Sequence, residues 1–292
     1  MASGASKHKS FKRSYREDYV RELQVPSIGY HIFYAFKMIF KNWRIFLPLL
    51  LIMIVAMILL VGLSDAYLNG ETVIFGSLIF LIIWLTTIFT LRHKLAGHKI
   101  GLRDALYNAM TPFLSSLVVL FVAAVQCIPI IILTVAYSSA LETHFLDTPF
   151  YALLFFVFAG LMILLSSYLL SSSIIALVAV SAPGLYPMEA LKTASELMQG
   201  RRIRFILRII ILLIMVVVAW IVIMYPIAMF DSFMANQYEW TRQIPFVKIC
   251  GIIVACFLSI FVSSYFYLYY RWVLKYDTKE ENGKRKSRKK NS

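Results

Sequence analysis

The side chains with the most chemical capacity crowd the edge of an apolar run: Arg201, Arg202, Arg204 and Arg208 in GRRIRFILRIIIL. Guanidinium groups placed there suit the phosphates of anionic lipid, each cation near such a surface contributing about 1 kcal/mol. Retention of Lys and Arg on the cytoplasmic side of a bilayer puts them there equally well, so both readings stand. A second candidate set is uncharged: Gln126, near Pro129, with Ser166, Ser167 and Ser171 in a later apolar run. These suit the lining of a polar cavity for a small solute, and they suit interhelical hydrogen bonding and close packing just as well. His93 and His98, five apart, do not share one helix face as metal ligands would, and they read as interfacial histidines. Glu142, His144 and Asp147 form a short acidic stretch that reads as a solvated loop.

Most enzymatic chemistry has no residues to carry it. The chain contains no HExxH helix, phosphate-binding glycine loop, GxSxG elbow or CxxC pair. No Asp, Glu, Lys or His falls well inside an apolar run, whereas proton relays, ion sites and intramembrane proteases need such groups. Cys127, Cys250 and Cys256 all sit in apolar runs and read as small buried hydrophobes, with no disulfide or metal framework. The expectation is a non-enzymatic protein with no cofactor.

The elements that must position these residues follow from composition. Of 292 residues, 60% are hydrophobic and 15% charged, with a mean hydropathy of +0.76, too apolar for a domain surrounded by water. The formal charge of +14 is accounted for by basic cytoplasmic loops and anionic lipid rather than nucleic acid. Residues 1–25 are rich in Ser, Lys and Arg and predict a flexible cytoplasmic tail. Residues 26–275 form the membrane domain, and 276–292 a polybasic cytoplasmic tail.

Hydropathy predicts six spans: Ile45 to Leu63, Val73 to Leu91, Phe113 to Tyr137, Pro149 to Val180, Phe205 to Tyr225 and Phe246 to Leu268. The first begins too late and runs too long for a cleavable signal peptide. Pro129 with Gln126 predicts a kink and a locally unpaired carbonyl in the third span. The fourth is longer than a perpendicular crossing, so it either tilts or packs its inner end on neighbouring segments. Three amphipathic elbow helices precede the odd-numbered spans. The first carries an apolar stripe of Ile28, Ile32, Phe33, Phe36, Phe40 and Trp43, expected to face lipid. The second runs from Leu102 to Met110 and ends at Pro112. The third runs from Pro187 to Gly200, with Ala190, Leu191, Ala194, Leu197 and Met198 on one face.

Basic residues cluster in both tails and in the loops after spans two and four, and acidic residues outweigh bases in the other loops. The pattern predicts both termini on the cytoplasmic side of the cell's inner or plasma membrane. Elbow, span and returning span recur three times, which suggests a pseudo-threefold repeat.

The stretch GLYPMEALKTASELMQGRRIRFILRIIIL, with weaker echoes in IGLRDALYNAM and YFYLYYRW, resembles the glycerophosphodiester phosphodiesterase membrane domain and the related YciC-type bacterial membrane proteins. The likeness extends from Pro26 to Lys275. It implies the all-α, multi-span fold but not phosphodiesterase activity, since no His-Arg-Gly or Glu-Asn catalytic pattern occurs here. The expected protein is an all-α, six-span membrane or envelope component whose elbows engage the bilayer's anionic inner-leaflet phospholipids, with membrane protein partners. A permease or transporter component acting through Gln126 and the serines is the alternative.

Overall fold

The computed structural model describes residues 27–63, 70–98, 100–144, 147–182, 184–237 and 246–291. The proposed N-terminal tail, Asp65 in the first loop, and Glu239 and Arg242 in the last lie outside them. Among the described residues there is no strand, and six helices are long and apolar enough to cross a membrane. The chain is therefore an all-α polytopic membrane protein.

The first elbow, α1 (Ile28–Lys41), leads through Asn42 into α2 (Trp43–Leu63), and α3 (Gly70–Leu95) returns. The second elbow, α4 (Leu102–Ala109), leads into a crossing made of α5 (Phe113–Gln126) and α6 (Ile128–Glu142), and α7 (Pro149–Ala179) returns. The third, α8 (Pro187–Met198), leads into α9 (Arg202–Gln237), and α10 (Phe246–Asn291) returns. Element order thus runs three times through elbow, outward crossing and return. The last two helices exceed the predicted spans: α9 continues through Pro226, and the backbone of α10 stays helical through most of the basic tail.

The third crossing breaks where proline chemistry requires it. Pro129 has no N–H, and the Ile130 N–H bonds the Cys127 carbonyl at 3.0 Å instead of that of Gln126. The released Gln126 carbonyl accepts from the Ser166 hydroxyl of α7 at 2.7 Å, so the expected orphan group is satisfied from a neighbouring helix. At 1.5 Å per residue, the 31 residues of α7 reach about 46 Å, against roughly 30 Å of hydrocarbon. Its C-terminal part, where Ser166, Ser171, Ser173, Ala176 and Ala179 are buried, packs on α8 and α5. The excess length is used in packing on an elbow.

Small residues make that contact. Ala190, Ala194, Leu197 and Met198, the face expected from the spacing, are the buried residues of α8. The hub of the bundle is α10, which touches α1, α2, α3, α7, α8 and α9. Tyr265, Phe266, Tyr267 and Tyr269 are buried there as packing residues.

The first elbow packs differently from the expected stripe. α1 buries His31, Ala35, Met38 and Ile39 against the bundle, with Ile32 and Phe36 packed only partly, and leaves Phe33, Phe40 and Trp43 exposed. In a bilayer the most apolar face need not turn inward, because lipid solvates it as well as protein does.

Candidate functional site

Each of the three elbow junctions opens a cleft that contains a cation. At the first, the Asn42 side chain caps α1 by donating to the Met38 carbonyl at 2.9 Å, and Phe46 N–H bonds the Asn42 carbonyl at 3.3 Å as α2 begins. This sharp turn sets Lys41 and Arg44 beside Lys94, from the last turn of α3, around a cleft of about 140 Å³. No acidic side chain lines it.

The second junction is larger, about 420 Å³, and joins the end of α3, the α4–α5 turn and the segment after α7. Arg92 and His93 enter from α3, and Thr111, Pro112 and Ser115 from the start of α5. His93 Nδ1 bonds the Phe89 carbonyl at 3.0 Å, and its ring lies 4.1 Å from that of Phe89. Nδ1 must therefore carry the proton in this bond. Gly184 closes the far wall with φ at +86°, a left-handed conformation that a β-carbon would strain.

At the third, Gly200 (φ +74°) ends α8, and α9 starts within two residues. Tyr168, Ser195, Glu196 and Arg202 surround about 390 Å³. Arg202 donates to the Ser195 hydroxyl at 2.8 Å and lies 4.4 Å over the Tyr168 ring, so part of its donor capacity is already used.

The four arginines expected to act together are dispersed by the 100° step of the helix. Arg204 is exposed, Arg202 faces the third cleft, and Arg201 and Arg208 are half-buried. The Arg208 guanidinium lies 5.3 Å over the Tyr269 ring of α10, which in turn stacks on Phe205 at 5.0 Å. Arg208 thus fastens α9 to α10.

Of the three serines expected with Gln126 only Ser166 meets it, in a hydrogen-bonded contact that Ser173 joins. Ser173 donates to the Gln126 side-chain carbonyl at 2.7 Å, while Ser166 holds its backbone carbonyl. Ser171 bonds within its own helix to Tyr168, and Ser167 is half-buried. None of the three clefts includes these residues. On the opposite side, His144 and Asp147 pair at 3.1 Å in full solvent exposure. Among the described residues no three His, Cys, Asp or Glu side chains gather as metal ligands would.

Sequence reasoning missed a buried histidine. His31 is 1% exposed and faces the rings of Tyr265, Tyr269 and Trp272 at 6.2, 6.3 and 6.1 Å. Its Nδ1 contacts the Ser27 carbonyl at 3.3 Å, and Nε2 has no hydrogen-bond partner among the described residues. Burial pushes its pKa below the usual histidine value, opposed by the Ser27 contact and reinforced by the Arg208 charge. No periodicity signals this, because a lone polar residue within an apolar stripe looks like an interruption of it. The Arg92–His93 cleft left only one wall visible in the sequence, an arginine and a histidine directly following an apolar run.

Comparison with family models, curated proteins and solved structures finds no match to this chain. The site's chemistry therefore rests on its own geometry.

Proposed function

We propose that this is a non-enzymatic membrane component whose elbow face engages the headgroups of anionic phospholipid. The observation that carries the proposal is the recurrence of a cation-bearing cleft at every elbow-to-span junction, two of the three without an acidic side chain. Lys and Arg at span ends favour anionic surfaces, and a cleft adds shape to a charge that topology alone would leave diffuse. The elbow face is assigned to the cytoplasmic leaflet of the cell's inner or plasma membrane, with both termini on that side, because the basic loops lie there. The likeness to the glycerophosphodiester phosphodiesterase membrane domain is part of the same proposal and rests on GLYPMEALKTASELMQGRRIRFILRIIIL, with the weaker echoes IGLRDALYNAM and YFYLYYRW. A solute permease has less support, since Gln126, Ser166 and Ser173 spend their polar groups on one another.

Native mass spectrometry of the full chain extracted from a membrane of known composition tests the proposal. Retained phospholipid should be enriched in anionic species over the bulk. Retention in bulk proportion would remove the headgroup reading.

A further inference from the structure

The second cleft differs from the other two in the kind of groups it assembles. The first offers three cations and no hydroxyl, and the third contains Glu196 beside an arginine already bonded to Ser195. The second brings together Arg92, His93 and the hydroxyls of Thr111, Ser115 and Ser181, with no acidic side chain among the described residues of its lining. Ser181 also bonds the Val178 carbonyl at 2.7 Å, so its hydrogen is committed and its oxygen remains an acceptor.

Backbone adds to the side chains. Pro112 is the N-cap of α5 and Ser115 lies in its first turn, so the positive end of a 14-residue helix opens on the space that Arg92 and His93 face. With Nδ1 held by the Phe89 carbonyl, the His93 ring forms one wall of the cleft. A guanidinium, hydroxyl donors and a helix N-terminus match a tetrahedral oxyanion with several acceptors on adjacent faces. The volume of about 420 Å³ lies within the roughly 300–1,000 Å³ of small-molecule clefts.

We infer that the Arg92–His93–Ser115 cleft is a specific binding site for a phosphate group, carried by an anionic lipid or free in solution. Arg92 takes two phosphate oxygens, and Ser115 with the first turn of α5 takes a third. Phe89 at the apolar margin leaves room for the glycerol end of a lipid. This deepens the headgroup proposal by naming one site and one chemical group.

The test uses the full chain in neutral detergent, with the thermal midpoint followed during titration with dioleoyl phosphatidic acid, phosphatidylcholine or inorganic phosphate. Phosphatidic acid should raise the midpoint saturably and phosphatidylcholine should not. A comparable rise with inorganic phosphate identifies free phosphate as sufficient; a rise with the lipid alone identifies the lipid as the source. Arg92→Gln should weaken binding about tenfold or more, the effect of losing a charge-assisted hydrogen bond. Ser115→Asp should abolish it while leaving Arg92 in place, which keeps the test open if Arg92→Gln fails to fold. Lys192→Gln, on the exposed face of the third elbow and outside all three clefts, should bind as the parent does. The inference is overturned if neither phosphate probe shifts the parent protein, or if Arg92→Gln and Ser115→Asp bind as tightly as it does. Anionic-lipid enrichment that persists with no dependence on Arg92 or Ser115 would leave the broader proposal standing and remove this site. Phosphate binding that depends on Arg92 in a protein without such enrichment would do the reverse.

Discussion

The two ends of the bundle are built on different terms. Toward the elbows, every crossing is packed: α2 buries Ile45, Phe46 and Leu49, α3 buries Leu81 to Leu91 at most positions, and α10 buries Phe261, Tyr265 and Tyr269. Toward the far side burial falls away, and α2, α7 and α9 expose large apolar side chains, including Val55 and Leu59 on α2, Phe150 and Phe156 on α7, and Ile221 and Tyr225 on α9. Hydropathy does not separate these regions. Composition at the contacts does: Thr86, Thr87, Thr90, Ser116, Ser166, Ser173, Ser263, Ser264, Ala176, Ala190 and Ala194 are all buried on the elbow side. Lipid tails solvate Leu and Phe as well as protein does, so helices associate where small and polar residues permit close approach.

The largest effect should come from spoiling that close approach. Ala194 is 1% exposed at the α7–α8 contact, and Ala194→Leu should destabilise the protein by about 2 kcal/mol through overpacking. Its far-end counterpart, Leu153→Ala, should change stability by less than about 0.5 kcal/mol. Equal losses in detergent denaturation curves would erase the distinction between the two regions.

A smaller effect concerns the clasp between α1 and α10. His31 has a lowered pKa in the folded protein, so it favours the neutral form when docked. Its contribution is complete above the ordinary histidine pKa of about 6.5 and is lost as pH falls toward the lowered value, because the undocked state then binds the extra proton. The charged and titratable groups facing it are Arg208, Tyr265 and Tyr269. Amide hydrogen exchange in α1 should therefore accelerate on acidification, and His31→Phe should flatten that dependence. An acid response that survives in His31→Phe would assign it to another group.

Smaller still, Ser173→Ala should cost about 0.6 kcal/mol, the average for a hydrogen bond between membrane helices. A Gln126→Leu variant measured alongside completes a double-mutant cycle, and a coupling near zero would mean that the two side chains do not interact.

Much of the fold was legible because a hydrocarbon core imposes a minimum length on each crossing and because Pro129 cannot donate a hydrogen bond. The six spans, the broken third crossing and the overlong fourth were all readable on those grounds. The faces of α1 and of the α9 entrance were not. The stripe expected to face lipid is divided: Phe33 and Phe40 are exposed, Ile32 and Phe36 pack partly on the bundle, and His31 and Ala35 turn inward, since hydrophobicity does not tell lipid from protein. The arginines looked like one cluster along the chain, but Arg202 turns into the third cleft, Arg208 lies over the Tyr269 ring of α10 and Arg204 is exposed. The three clefts were illegible for a simpler reason: each needs side chains from an adjacent helix, such as Lys94 beside Arg44 or Ser181 beside Arg92.

The joint at Cys127 falls where the tightly packed half of the bundle gives way to the lipid-bathed half. A bilayer that thins or thickens should load α6, which leans on α7, before it reaches α5, which is anchored through Gln126 to Ser166 and Ser173. Phosphate affinity should accordingly stay constant across membranes of different acyl length, even as the far ends of the helices reorient.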